Sequence, residues 1–306
     1  MLLTNSSNAL RQDLQLPRTE IELSGFSGAK VLLIRERNTP AFIRKISGSP
    51  GGNARLQAQA IKQRLTASQL IGCATTPKIL EEGHLDGLYY FDMQYIKGLD
   101  GITYLRTASF PAIARFLDKL LMAIERFADL QDPQQLFSPR QNSLGKCHDI
   151  LSAIPTDDLR ARNAMLALIG ILENATMPDQ LAVTACHGDL TLENIVVTEA
   201  GDVVFIDFLD TFLSHWIADV GKLEQDLRAG WYMRKADPLP LGVISYFRQA
   251  LATLSNRLLK DAPELLPIVL CVHLARILPY TRTIEDRSFV LDRLEQLIAK
   301  QISNEY

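Results

Sequence analysis

Acidic residues are missing from one long stretch: no Asp or Glu lies between Glu36 and Glu81. Any chemistry placed there must therefore manage without a carboxylate. Cysteine is scarce as well. Cys73, Cys147, Cys186 and Cys271 form no C-x-x-C pair, which argues against a zinc knuckle and for neutral thiols in a reducing compartment. No apolar run is long enough to span a bilayer; the richest, 164–172 and 266–278, are short or carry His273 and Arg276. The first residues lack the basic n-region and apolar core of a signal peptide. A soluble cytoplasmic protein with no membrane contact is expected. Net charge is only −3, so nothing calls for nucleic acid as a partner. Internal repeats and low-complexity segments are absent too.

What is present is ordinary globular material, 47% hydrophobic and 22% charged over 306 residues, enough for one large or two smaller units. From Glu20 to Ser47 the pattern is strand-like. Ile21-Glu22-Leu23 leads into Ser24-Gly25-Phe26-Ser27-Gly28 and then Val31-Leu32-Leu33-Ile34. Two glycines three apart let a backbone come close to a phosphate and aim N–H groups at it, although an ordinary hairpin turn has the same look. A third strand, 41–46, carries Lys45 between apolar neighbours. Asn53 is a reasonable N-cap for a helix whose stripe is Leu56, Ala60, Ile61 and Leu65. A second hairpin covers 78–96, turning between Gly83 and Gly87, and 97–101 reads as a linker. Beyond it, 110–130, 160–175, 241–259, 263–278 and 286–302 have helical spacing. A mostly β first third meets a mostly α remainder, with the division placed at 1–97 and 98–306.

The most informative stretch is set in the α part. Cys186-His187-Gly188-Asp189 is followed by Asn194, five residues after the Asp, and then by Asp207, thirteen residues further on. Two short apolar runs between Asn194 and Asp207 read as a tight hairpin with oxygen-bearing side chains at its ends. Phosphoryl transfer uses such a set: one carboxylate to orient an attacking hydroxyl, an amide and a second carboxylate to hold Mg²⁺.

With the glycine turn, the lysine strand and Met93-x-Tyr95-Ile96-x-Gly98 added, residues 20–230 resemble the protein-kinase-like fold. Gly188 stands where eukaryotic protein kinases have Arg, Leu209 follows Asp207-Phe208 where they have Gly, and no Ala-Pro-Glu signature is found. The pattern is similar to the aminoglycoside phosphotransferase / choline kinase family, whose members phosphorylate small molecules. The resemblance implies a two-lobed α+β fold: a small antiparallel sheet with one main helix, and a larger helical lobe. It implies ATP and Mg²⁺. Asp189 would be the catalytic base, Asn194 and Asp207 the metal ligands. Ser24, Gly25, Ser27, Gly28 and Lys45 would meet the phosphates, with Gln94 and Ile96 at the adenine edge. Asp219 resembles the acid that braces the catalytic loop, and His187 is expected to hydrogen-bond within that loop.

One departure follows from the acid-free stretch. Kinases of this fold usually pair the strand lysine with a helix Glu; here only Gln57, Gln59 and Gln63 are on offer, and Gln59 is the expected partner of Lys45. For the acceptor, the region after Asp207 supplies acids, bases and the aromatics Trp216, Trp231 and Tyr232. A small metabolite is expected: a sugar, an amino sugar or an amino alcohol. A nucleotide-binding scaffold and a protein kinase stay open as other classes.

Overall fold

The computed structural model describes residues 18–23, 28–36, 39–234, 236–259, 262 and 264–302. Ser24, Gly25 and Ser27 lie outside the described residues. The chain divides into two compact units. The smaller runs through Leu65 and takes in Thr76–Lys97; the larger holds 66–75 and everything from Gly98.

In the smaller unit β1 (Arg18–Leu23), β2 (Ala29–Glu36), β3 (Phe42–Ser47), β4 (Ile79–Leu85) and β5 (Leu88–Gln94) form an antiparallel sheet in the order β1-β2-β3-β5-β4. Strand alternation decides which side chains go inside. Along β3, Ile43, Lys45 and Ser47 share the buried side. Arg44 points the other way, pairs across the strands with Asp92 through two bonds of 2.7 Å, and stacks 4.5 Å from the Tyr90 ring. The β4–β5 turn is Asp86-Gly87, both with positive φ (51° and 78°), the combination a two-residue hairpin favours.

Helix α1 (Asn53–Gln69) presents Leu56, Gln59, Ala60, Gln63 and Thr66 as its buried stripe. Leu56 and Ala60 pack with Leu33, Ile43, Tyr89, Phe91 and Met93. Asn53 does not cap this helix. A 3₁₀ turn, Pro50–Gly52, precedes it and Asn53 is itself helical (φ −56°). Its amide instead donates to Gly87 O and accepts from Tyr89 N, both at 2.9 Å, tying the helix start to the hairpin.

In the larger unit, what looked like a linker is ordered. Gly98–Asp100 is a strand, β6, paired with Thr198–Val196, and Asp100 caps α2 (Gly101–Thr107) by accepting from Thr103 N at 3.0 Å. Its pairing partner is a hundred residues away, out of reach of local pattern. Helix α3 (Phe110–Asp129) buries Ile113, Phe116, Leu117, Leu120, Ala123, Ile124 and Phe127, a stripe at helical period. Strand β7 (Gln131–Phe137) pairs with β8 (Leu181–Thr184), and α4 (Pro139–Ala153) and α5 (Leu159–Asn174) lie between them in sequence. Strands β9 (Ile195–Thr198) and β10 (Val203–Phe205) make the expected hairpin.

Four helices follow: α6 (Ile217–Leu227), α7 (Leu241–Leu258), α8 (Leu265–Ala275) and α9 (Ile284–Ile302). Helix α8 is apolar nearly all round, buried at Leu265 and throughout Ile268–Ala275, as befits a central helix. Two apolar clusters result. One joins α3 and α7 to the hairpin, with Phe127, Phe205 and Phe208 inside; the other joins α4, α5, α8 and α9. Each fully buried large side chain contributes roughly 1.5–3 kcal/mol. No helix among the described residues is long and apolar enough to cross a membrane.

Candidate active site

Helix α6 is the unusual element. All eleven of its residues are buried, yet Asp219, Lys222, Glu224, Gln225 and Asp226 are among them. Buried polar groups persist when they are hydrogen-bonded or paired, so their partners show what the helix is for. Asp219 accepts from His187 N at 2.6 Å and from Gly188 N at 2.7 Å. Asp226 accepts from Leu192 N at 2.8 Å. Lys222 Nζ lies 2.9 Å from Asp189 Oδ1 and donates to Gln225 Oε1 at 3.2 Å. Three of the five therefore hold the His187–Asn194 loop. The helix can approach its neighbour α8 closely because position 221 is glycine: a Cβ there would sit 2.8 Å from both His273 Cδ2 and Val269 Cγ1.

The loop is fixed from within as well. Leu190 and Leu192 are fully buried and anchor it on either side of Thr191. Gly188 has φ +91°, which only glycine adopts without strain. His187 is fully buried. Its Nε2 is 2.8 Å from Ile206 O, and its Nδ1 receives Asp189 N at 3.2 Å. A carbonyl can only accept and an amide N–H can only donate, so the ring is protonated at Nε2 and bare at Nδ1. Both nitrogens are committed to loop geometry, as the sequence reading expected. The ring also stacks against Phe208, 4.2 Å between centroids.

These contacts bring Asp189 and Asn194 together, and residues on either side of Asp207 bond back to the loop, Ile206 N to Asn194 O and Leu209 N to His187 O. Asn194 Nδ2 donates to Asp189 O at 2.8 Å and to Asp189 Oδ2 at 3.2 Å. Its amide oxygen therefore faces away from Asp189. Ile206 N donates to Asn194 O at 3.0 Å, which fixes the residue before Asp207 against the Asn194 backbone. Asp207 has φ +63°, a left-handed conformation that costs an Asp on the order of 1 kcal/mol. Burial alone would raise the Asp189 pKa; the nearby Lys222 charge and its hydrogen bond, with the Arg276 charge behind them, outweigh it and hold the carboxylate below its ordinary value. Asp226 goes the other way: full burial, opposed by its bond to Leu192 N, pushes it up to about 7.

A cation fits this donor set. The Asn194 amide oxygen and the Asp207 carboxylate are hard oxygen ligands of the type Mg²⁺ takes, one or two from protein and the rest from phosphate and water. Among the described residues no group of three or more His, Cys, Asp or Glu could cage a metal by itself. In the smaller unit, Lys45 is 3% exposed with its Nζ 5.9 Å from the Phe91 ring centroid. Of its three candidate partners, Gln57 is exposed; Gln63, whose amide nitrogen donates to Pro77 O at 2.7 Å, and Gln59 are both buried on the inner stripe of α1. Gly28 has φ +71°, and its carbonyl lies where a Cβ on Gly48 would fall, 2.2 Å away. That close pass of two backbones was not expected. Gln94 N donates to Lys78 O at 2.9 Å, and Ile96 follows just beyond the strand.

Residues 19–243 match the profile of the Phosphotransferase enzyme family. The chain belongs to that family. No curated protein matches it. Solved structures share the phosphotransferase's fold at low identity. A candidate fructosamine-3-kinase from Thermobifida fusca has a TM-score of 0.58 at 15% identity, over 97% of this chain and 100% of the other. The choline kinase LicA from Streptococcus pneumoniae gives 0.56 at 14%, over 96% and 99%. The gentamicin complex of APH(2″)-IIa gives 0.57 at 13%, over 97% of each chain. The fold is the protein-kinase-like α+β fold that the sequence resembled.

Of the residues after Asp207, the aromatics serve packing, the commoner role for such side chains. Trp216 and Tyr232 are core residues, 3% and 2% exposed, and Trp231 is covered by the Arg234 guanidinium, 3.2 Å from its ring centroid. Those aromatics form no open cage. His215 and Asp226 are buried too, and Lys235 lies outside the described residues. Arg276 is different: with Asn142, Lys146, Asp149, Asp210 and Phe212 it lines a pocket of about 450 Å³, and its charge is felt at Asp189. A larger cavity of about 800 Å³, lined in part by Glu224, Arg228 and Arg248, shares no residue with Asp189, Asn194 or Asp207. Sequence reading did not single out Lys222, and counted Asp226 only among the acids on offer for the acceptor. The i, i+3, i+7 spacing of Asp219, Lys222 and Asp226 was the available signal, since it puts all three on one helical face.

Proposed function

We propose that this phosphotransferase moves the γ-phosphate of ATP to a hydroxyl of a small metabolite: a sugar, an amino sugar or an amino alcohol. The observation that carries this reading is the Asp189 carboxylate, contacted at one oxygen by Lys222 and at the other by Asn194. A carboxylate so fixed, with its pKa held low, is suited to accept a hydrogen bond from an acceptor hydroxyl and aim its oxygen in line with the phosphorus. It is less suited to be a strong base, which agrees with a loose transition state that asks mainly for positioning. Asn194 and Asp207 are the residues that would hold Mg²⁺, which when bound offsets charge on the phosphates.

In the same reading 1–97 is the nucleotide half and 98–306 the chemical and acceptor half. Lys45 supplies a point charge for the phosphates, and the glycine turn through Ser24, Gly25, Ser27 and Gly28 covers them. Because Gln94 N is already engaged, Gln94 meets the nucleobase with its carbonyl and Ile96 with its backbone. The acceptor occupies the pocket by Arg276, whose lining carries both signs of charge, Lys146 and Arg276 against Asp149 and Asp210. Turnover of ATP with Mg²⁺ against a panel of sugars, amino sugars and amino alcohols tests the reading. A phosphorylated product with the wild type and none with Asp189→Asn is expected. Equal product from both proteins would remove Asp189 from the reaction.

A further inference from the structure

We propose that Lys222 is a positioning residue for the transfer, setting the Asp189 carboxylate rather than merely holding the loop. The proposal rests on the reading of Asp189 given above. Its starting point is an expensive choice: an ammonium that is 7% exposed, on a helix buried from end to end. Removing a charge from water costs several kcal/mol unless it is paired. Lys222 has two partners, Asp189 Oδ1 at 2.9 Å and Gln225 Oε1 at 3.2 Å.

A purely structural role is already filled by its neighbours. Asp219 holds His187 N and Gly188 N, and Asp226 holds Leu192 N. Those three bonds pin the loop backbone to α6 before and after Asp189. None of them touches the Asp189 side chain, whose torsions they leave unset. The other contact to that carboxylate is Asn194 Nδ2 at 3.2 Å, and this donor also serves Asp189 O at the shorter distance of 2.8 Å. Lys222 therefore makes the shorter and only charged of these two contacts. With Oδ1 held by an ammonium on one side and Oδ2 by an amide on the other, the carboxylate plane is set and the remaining lone pairs have a fixed direction. An acceptor hydroxyl needs that direction, because a displacement of about 1 Å in an aligned group costs on the order of 100-fold in rate. The third N–H of Lys222 is available in chemical terms for a third oxygen.

The test compares Lys222→Met, Lys222→Arg, Asp189→Asn and the double variant Asp189→Asn/Lys222→Met. It uses the full chain and Mg²⁺, and follows ADP release with water as the phosphoryl acceptor, together with the KM for ATP and the melting temperature. Lys222→Met is expected to lower kcat about 100-fold while the KM for ATP stays within about twofold, since the ammonium acts through Asp189 and not on the nucleotide. Lys222→Arg should recover at least tenfold of that loss. In the Asp189→Asn background the Met substitution should cause no further loss, because a residue that acts through another is silent once the other is gone. A loss that multiplies in the double variant would overturn the proposal, as would wild-type kcat in Lys222→Met. Should Lys222→Met fail to fold, Lys222→Gln takes its place with the same expectations. Full turnover in Asp189→Asn would sink the functional reading itself; full turnover in Lys222→Met beside an inactive Asp189→Asn sinks only this inference.

Discussion

Asp219 and Asp226 both serve as acceptors for the loop backbone, but they differ in what burial does to them. Asp219 takes two N–H bonds, so Asp219→Ala strands two buried donors at about 1–3 kcal/mol each. A loss of roughly 3 kcal/mol in urea unfolding, with turnover falling as the loop loosens, is expected. Asp226 accepts a bond from Leu192 N, and its pKa is pushed up to about 7, chiefly by desolvation. A carboxyl whose folded pKa lies above its unfolded value favours the fold most below the unfolded value. That contribution is lost as pH rises through the folded pKa. The window here runs from about pH 4 to about pH 7. Asn keeps an acceptor for Leu192 N and cannot ionise. The melting temperature of Asp226→Asn relative to wild type should therefore rise between pH 5 and pH 8. A difference that stays flat across that range would show that Asp226 is already ionised in the folded protein at pH 5 and that burial does not raise it.

Among elements, α6 explains most of what sequence reading could and could not recover. His187, Asp189, Asn194 and Asp207 were legible because the loop and hairpin bearing them are contiguous, and chemistry fixes their spacing. Helix α6 was not, because a helix with Asp219, Lys222, Glu224, Gln225 and Asp226 reads as a solvated one; hydropathy does not say which polar groups are buried and paired. Nonlocal pairing hid other pieces. Strand β7 contains Pro133 and three exposed glutamines, Gln131, Gln134 and Gln135, and exists because β8 pairs with it. The capping role expected of Asn53 failed because a Pro-Gly-Gly turn extends the helix start and leaves its amide to the hairpin. A prediction belongs at this scale. Gly221→Ala puts a methyl 2.8 Å from His273 and Val269 side chains, forcing α6 from α8. Overpacking of that kind costs about 1–3 kcal/mol. Because α6 carries the loop contacts, kcat should fall with stability, whereas Gly242→Ala, at an open position on α7, should change neither. Unchanged thermal stability in Gly221→Ala would mean that the two helices can separate at no cost.

For the molecule as a whole, the two compact units separate the candidate residues. The acid-free stretch between Glu36 and Glu81 falls mainly in the smaller unit, with Lys45 and α1 inside it; the carboxylates of the loop and of α6 all belong to the larger. Substitutions in the smaller unit should therefore move nucleotide affinity, and those in the pocket by Arg276 should move acceptor affinity. Gln59 is the decisive residue. It lies on the buried stripe of α1 between Leu56 and Ala60, while Gln57 is exposed and the Gln63 amide is tethered through its nitrogen to Pro77 O. If Gln59 steadies the Lys45 ammonium during nucleotide binding, its loss removes a hydrogen bond to a charged group. Such a bond is worth about 1.5–3 kcal/mol, so Gln59→Ala should weaken ATP binding at least about tenfold. Gln59→Glu, which supplies the missing charge, should bind ATP at least as well as wild type. Isothermal titration with ATP and Mg²⁺ measures both. Unaltered affinity and turnover in Gln59→Ala would show that Lys45 needs no help from Gln59, and that this phosphotransferase holds its strand lysine by some other means.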